Sequence, residues 1–367
     1  MELLHFLGTG YGHELKGMGC QDRIRTESFP DGKTIIAVSD GCSSSKYAEI
    51  AAQSNVDVVC NIFKSCSIDS LSFDSFVQMY PEMKKAEEKF QDNLTGCFRF
   101  AFQKALYDIA KKKARECNED IDSRDYCATL LFCVCEEERI CIGHIGDGNI
   151  LCLDKNGEIV YHSKEENGED SSRTFFTVSQ NFDEHFYYDV IPAENVECIV
   201  MFSDGPQNMF RYEHGDIRTG VCEIIAKPVI SGKICSDEML ADKLKEYICH
   251  AKHYVFDDWS LVVAYKGLKS VRNINPVSLD KIFMEEFNKI VFDEFGNIVN
   301  RDNNLNDTCE KKADDSCEQV DAPEDKDKSD TAGAAAQDKT SSHTEKTEET
   351  KKVHKKIFNM GINFRKD

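Results

Sequence analysis

The chain has no pair of cysteines at CxxC spacing, although it carries 17 among its 367 residues. That excludes zinc-knuckle and thioredoxin-like motifs, and the odd number excludes a complete intrachain disulfide framework. Many of the cysteines, such as Cys133, Cys135 and Cys141, sit in apolar runs, where a thiol acts as a small hydrophobe. Free thiols are expected, as in a reducing cytoplasm. No run approaches the ~20 apolar residues that cross a membrane. Met1–Gly10 lacks the basic segment that opens a signal peptide, so a cytoplasmic chain with no membrane partner is expected. Basic charge is also short: 45 Lys and Arg stand against 66 Asp and Glu, for a net charge of −21. Such a chain is not drawn to nucleic acid. An anionic substrate would need a local cation to approach it, which a bound divalent metal supplies. Neither the P-loop nor the dinucleotide glycine pattern is present, and no G-x-S-x-G elbow marks a serine hydrolase.

What the chain has instead is alternation. Strands are expected at Thr34–Ser39, Ala128–Cys135, Arg139–His144, Asn149–Leu153, Glu197–Phe202 and Ser260–Tyr265. Helices are expected at Lys46–Phe63, Cys97–Cys117 and Asp237–His250, the second with Phe98, Phe102, Leu106 and Ile109 on one face. Tight turns between strands point to antiparallel pairing, and the long helices to a layered α+β domain. This domain is expected over residues 1–270, followed by a helical extension over 271–300. From 301 to 352 the composition turns to Asp, Glu, Lys, Ser, Thr and Ala, a linker too polar to repay ordering. A short basic and apolar tail closes the chain at 353–367, either a docking segment or a frayed end.

One motif recurs: an apolar strand runs into Asp-Gly. It occurs at Asp40-Gly41, Asp147-Gly148 and Asp204-Gly205; Asp257-Asp258-Trp259-Ser260 instead precedes a strand, and Gln21-Asp22 comes early. A single Asp-Gly usually marks a turn, because glycine allows positive φ; Asp31-Gly32, among polar residues, is expected to be only that. The others follow or precede buried strands, which puts a carboxylate at a sheet rim. Carboxylates gathered at one point need cations to neutralise them, and hard divalent ions favour oxygen ligands. His250 and His253 read as packing or surface residues, since structural zinc takes four ligands. Ser43, Ser44 and Ser45 read as a loop capping the next helix.

The ordered set resembles the metal-dependent type 2C protein phosphatases, the PPM family. Gly12-His13 followed by Cys20-Gln21-Asp22 is similar to a bacterial branch of it. The resemblance spans roughly residues 5–266 and implies a four-layer α/β/β/α sandwich of two antiparallel sheets flanked by helices. It implies hydrolysis of phosphoserine or phosphothreonine through a water bridging two divalent cations, Mn²⁺ or Mg²⁺, with a third ion at an accessory site. By the same resemblance Asp40 bridges both metals, the Gly41 carbonyl completes the second site, and Asp204 and Asp257 hold the first. Asp22 joins the metal set and orients the attacking water, so the catalytic roles fall to Asp22 and Asp40. Asp147 matches the accessory metal's residue, with Thr129 beside it. The partner is a phosphoprotein made by a Ser/Thr kinase, and the chain is expected to be a monomer. Gln21 stands where many members have a Glu ligand. Lys16 and His13 are the upstream groups left to hold phosphate in place of an Arg. Cys42 stands where eukaryotic members have His, which leaves a metal-bound water as the acid for the leaving group. Glu165–Ser179, with Arg173, falls where the family has a mobile flap; the plainer reading is an exposed loop.

Two rival readings are a catalytically weak or silent relative that binds phosphoproteins as a scaffold or regulator, and a metal phosphatase acting on a small molecule. Several unpaired carboxylates argue against silence. Trp259 is two residues from Asp257, so its fluorescence is expected to change on Mn²⁺ titration; an unchanged signal at saturating Mn²⁺ counts against Asp257 as a ligand.

Overall fold

A computed structural model describes residues 1–86, 93–164, 174–207, 217–251 and 257–267, with the short strands Ile290–Phe292 and Ile298–Asn300. Two compact units follow one another along the chain, Met1–Val299 and Asn300–Asp367. The account below is of the first. The linker and tail expected beyond residue 300 lie outside the described residues, as do Arg173 and His253.

Ten strands make two five-stranded sheets. The first has the order β1 (Glu2–Gly8), β10 (Trp259–Tyr265), β9 (Cys198–Phe202), β6 (Asn149–Leu153), β7 (Ile159–His162). The second has the order β2 (Arg23–Ser28), β3 (Thr34–Ser39), β4 (Leu130–Cys135), β5 (Arg139–Ile145), β8 (Tyr187–Pro192). Every neighbouring pair is antiparallel.

Side chains alternate along each strand. Ile36, Val38, Leu131, Cys133 and Ile142 of the second sheet meet Ile150, Cys152, Ile199, Met201 and Val262 of the first in one core between the sheets. The opposite residues of the first sheet, among them Cys198, Val200, Phe202, Leu261 and Val263, pack beneath Val221, Ile225, Val229 and Leu240 from the helical side. Central strands are therefore apolar on both faces, although their pairing is antiparallel. The chain is an α+β, four-layer sandwich, as the resemblance implies.

Helix α2 (Ala48–Ser65) covers the second sheet with a stripe at helical spacing: Ala48, Ala51, Ala52, Asn55, Val59, Ile62 and Phe63 are buried. Beside it lies α4 (Leu94–Cys117), whose start is capped by Asn93 accepting the Gly96 N–H at 2.9 Å. Between them come α3 (Phe73–Met79) and a short 3-10 turn, Pro81–Ala86. The serines before α2 do not cap it. Its N-cap is Tyr47, and Ser45 Oγ instead donates to the Arg124 carbonyl at 2.6 Å, tying the loop sideways.

Strands β1, β2, β7 and β8 extend the expected set, and helical turns over Ile217–Val221, Cys222–Ala226 and Lys227–Ile230 form one run with a π-turn in its middle. In the span 271–300, expected to be helical, the described residues are two paired strands, Ile290–Phe292 and Ile298–Asn300. Both begin with Ile-Val, β-branched residues that favour extended backbone. Every cysteine whose side chain is described is a free thiol.

Phe98 joins the α4 face to the sheet. It is fully buried, with ring centroids 5.2 Å from Phe76, 5.8 Å from Phe132 and 5.4 Å from Phe186. Phe98→Ala is expected to cost roughly 3–5 kcal/mol in urea unfolding; a loss below about 1 kcal/mol would contradict this packing.

Candidate metal centre

The carboxylates sit where strands end. Asp40 follows β3, Asp147 follows β5 after Gly146, Asp204 follows β9 after Ser203, and Asp257 precedes β10. Antiparallel registry brings these ends to one rim: Trp259, at the start of β10, pairs with Gly8, and Asn149 with Phe202. Ligand oxygens of Asp40, Asp147 and Asp204 all lie within 4.8 Å of one another. Ligand atoms of His13, Asp257 and Asp258 form a second such group within 4.8 Å.

The Asp-Gly pairs differ from one another in a way that separates turn from site. Gly32, in the hairpin between β2 and β3, has φ +89°, the left-handed conformation a turn requires. Gly41, Gly148 and Gly205 have no positive φ. They are needed for closeness instead. A Cβ on Gly205 would lie 1.8 Å from the Asp258 carbonyl oxygen, and one on Gly41 would lie 2.8 Å from the Gln21 carbonyl oxygen. Each glycine lets a strand-end loop lie against the backbone of another carboxylate-bearing loop.

Asp22 is fully buried, and neither of its oxygens has a hydrogen-bond partner. Asp204 Oδ1 and the buried Gln21 Oε1 are likewise unpartnered. Orphaned acceptors of this kind are costly unless a donor or cation meets them. Burial pushes the Asp22 carboxyl up to about 7 and, with the Asp204 charge adding, Asp257 to about 6. Burial and the charges of Asp22, Asp204 and Asp257 also hold Asp40 well above the ordinary carboxylate range, and burial raises Asp204. This all-oxygen set with unmet acceptors fits a hard divalent cation such as Mg²⁺ or Mn²⁺.

Thr129 braces Asp40. The Thr129 N–H donates to the Asp40 carbonyl at 2.8 Å, and the Asp40 N–H donates to Thr129 Oγ1 at 3.2 Å. Behind them Asn55 of α2 donates to Ser39 Oγ and to the Thr129 carbonyl, both at 3.2 Å, and accepts from Thr177 Oγ1 at 3.0 Å. No motif in the sequence marks Asn55 or Thr177, since their partners are far away along the chain.

His13, expected to touch phosphate, is 2% exposed. Its Nδ1 lies 2.9 Å from Asp258 Oδ2 and its Nε2 lies 3.2 Å from Ser43 Oγ. Asp258, which the motif contained without singling out, accepts the Gly10 N–H at 2.8 Å and the Gln21 N–H at 2.6 Å. With both oxygens so engaged it acts as a clip between the chain's early loops and Asp257. Lys16 is exposed at the end of α1 (Tyr11–Leu15) and makes no ion pair among the described residues.

Two of the three comparisons with known proteins return matches. The family model for protein phosphatase 2C matches residues 9–245, well over half of the chain, and spans Asp22, Asp40, Asp147 and Asp204 but not Asp257. No curated protein matches significantly. Among solved structures, the serine/threonine phosphatase Stp1 of Staphylococcus aureus is 13% identical, covering 73% of this chain and 95% of its own, with a TM-score of 0.46. The serine/threonine phosphatase PstP/Ppp of Mycobacterium tuberculosis is 13% identical over 72% of this chain and 97% of its own, with a TM-score of 0.44. That of S. agalactiae is 14% identical over 72% and 99%, with a TM-score of 0.45.

The raised carboxyls make a pH prediction. In the metal-free protein the folded chain holds these protons more tightly than the unfolded chain, whose carboxyls titrate at about 4. Their contribution is fully present below that value and is lost as pH rises through 6 and 7. Metal-free protein is therefore expected to unfold at lower temperature at pH 8 than at pH 5.5. Asp22→Asn should recover on the order of 2 kcal/mol of the difference. Equal unfolding temperatures at the two pH values in EDTA would contradict the charge arrangement.

Proposed function

The chain belongs to the protein phosphatase 2C family, and from that premise we infer that it hydrolyses phosphoserine and phosphothreonine esters in proteins with divalent-cation help. The observation that carries the reading is the meeting of Asp40, Asp147 and Asp204 at one sheet rim, with Asp22 beside Asp40, the Asp22 oxygens and Asp204 Oδ1 unmet, and the Asp22, Asp40 and Asp204 carboxyls raised. Asp40, with the Gly41 carbonyl, Asp204 and Asp257 would hold two cations, Mn²⁺ or Mg²⁺; Asp147 would serve a third. Bound there, a divalent cation lowers the pKa of water and offsets charge on phosphoryl oxygens.

The chain's own residues do the rest. Asp22, fully buried with both oxygens unmet, would orient an attacking water by accepting its hydrogen. Thr129 fixes the Asp40 backbone through both its N–H and its carbonyl, which holds in place the Cα that carries the central carboxylate. Lys16 offers an ammonium that can swing toward a phosphate as a point charge, without the two-pronged grip of an arginine. The substrate is read as a phosphoprotein, the product of a Ser/Thr kinase, and the chain as a cytoplasmic monomer with no nucleic-acid or membrane partner. Net charge of −21 supports the first exclusion. No helix among the described residues is long and apolar enough to cross a membrane.

A silent scaffold is the weaker reading. Unpartnered, charge-raised carboxylates weaken the fold at neutral pH, and a phosphopeptide-binding scaffold has no physical use for them.

The full chain with Mn²⁺ is expected to release phosphate from phosphothreonine peptides, and EDTA to abolish the reaction. Asp40→Asn and Asp204→Asn should each lower kcat/KM on the order of 10²–10³-fold. No hydrolysis with Mn²⁺, or undiminished hydrolysis in Asp40→Asn, would sink the enzymatic reading.

A further inference from the structure

Asn55 interrupts an otherwise apolar inner face of α2. Its neighbours on that face, Ala51, Ala52, Val59 and Ile62, are apolar, and Asn55 itself is 1% exposed. A buried amide is costly unless its polar atoms are met. Here Nδ2 donates to Ser39 Oγ and to the Thr129 carbonyl, both at 3.2 Å, and Oδ1 accepts from Thr177 Oγ1 at 3.0 Å. The Thr129 carbonyl can only accept, so it fixes which end of the amide is nitrogen. Ser39 Oγ donates to the same carbonyl. Ser39, Thr129 and Thr177 are all buried. One helix side chain thus joins the end of β3, the entry to β4 and the stretch around Thr177.

These stretches carry or abut two of the carboxylates. Ser39 directly precedes Asp40, whose backbone Thr129 holds through both N–H and carbonyl. The stretch around Thr177 lies against the turn that carries Asp147. The Thr177 N–H donates to the Ala128 carbonyl at 3.1 Å. A Cβ on Gly146 would fall 2.6 Å from Thr129 Cγ2 and 3.3 Å from the Phe175 carbonyl oxygen. Gly146, at φ +113°, directly precedes Asp147. Ligand oxygens of Asp40 and Asp147 lie within 4.8 Å of each other. An ion such as Mg²⁺ demands near-ideal ligand geometry, while carboxylates without an ion repel one another. Their spacing has to come from the frame behind them.

We propose that Asn55 and Thr177 are positioning residues for the carboxylate rim. Their hydrogen bond ties Asp40, through Ser39 and Thr129, to the stretch that abuts the Asp147 turn. The rim's affinity for Mn²⁺ then depends on an amide that is hydrogen-bonded to none of the carboxylates. The proposal rests on the metal-binding part of the reading above and names what keeps two of its aspartates in register.

The test is Mn²⁺ binding to the full chain by titration calorimetry, beside phosphate release from a phosphothreonine peptide. Thr177→Val removes the hydroxyl with little change of shape. It is expected to raise the Kd for Mn²⁺ on the order of 10-fold. The Mn²⁺ concentration for half-maximal phosphate release should rise by the same factor, while KM for the peptide at saturating Mn²⁺ holds. Asn55→Ala should weaken Mn²⁺ binding at least as much. Thr177→Ser, which keeps the hydroxyl, should bind Mn²⁺ within twofold of wild type. The Thr177 variants keep the test in force where Asn55→Ala fails to fold. A Thr177→Val chain that melts earlier in EDTA yet binds Mn²⁺ with the wild-type Kd overturns the proposal, because the pair is then only structural. A wild-type chain that binds no Mn²⁺ overturns both this proposal and the metal-dependent reading. A chain that binds Mn²⁺, loses affinity in Thr177→Val and releases no phosphate supports the positioning role and overturns the phosphatase reading alone.

Discussion

The fold's hardest task is to hold negative charges together. Asp22, Asp40, Asp204, Asp257 and Asp258 converge at one rim, and the first four are pushed toward their protonated forms by burial, Asp40 and Asp257 also by neighbouring carboxylate charge. Left to themselves such groups would separate or draw in water. Asp40, Asp204, Asp257 and Asp258 cannot separate, because they hang from the ends of strands buried on both faces. Strands β3, β9 and β10 are closed in by the second sheet or the first on one side and by helices on the other. Moving any of these ends outward would pull a strand through a packed core, and packed cores resist such shifts. The apolar sandwich is thus the source of the rim's stiffness.

The rim is also drawn tight by backbone contact. Gly205 lies against the Asp257–Asp258 backbone and Gly41 against Gln21, at distances only a glycine permits. Asp258 then ties the early chain to the late one through two backbone N–H groups and His13. The pairing of β1 with β10 makes that tie possible, since it carries the residues around Gly8 and those around Trp259 to the same place. Charge, glycine and clip act on the same few loops, so a change in one should be felt in the others.

Much of this was legible along the sequence, and the boundary is physical. The central strands showed because burial on both faces writes a continuous apolar run: Thr34–Ser39 and Asn149–Leu153 match residue for residue. The outer strands did not. Arg23–Ser28 (RIRTES) and Tyr187–Pro192 are half-buried, with polar residues that blur the alternation. Helical residues 217–230 contain a π-turn, which slips the helical period. The carboxylates showed because Asp-Gly after an apolar strand is a local signal. What that signal could not carry was the reason for the glycine. Positive φ, assumed from the dipeptide, holds only for Gly32; for Gly41 and Gly205 the cause is a neighbour more than a dozen residues away. The partners of His13 were equally out of local reach: Ser43 and Asp258 lie 30 and 245 residues on.

The same contrast bears on what the rim is for. A cluster meant only to be filled by structure would have its acceptors met by backbone N–H groups, as Asp258 does. Asp22 has none, in a place as deeply buried as Asp258's. Two neighbouring carboxylates in one fold, one satisfied and one left open, cannot both be explained by packing. The satisfied one stiffens the frame. The open one destabilises it until a cation or a water arrives, and that is the condition of a group arranged for chemistry rather than for stability.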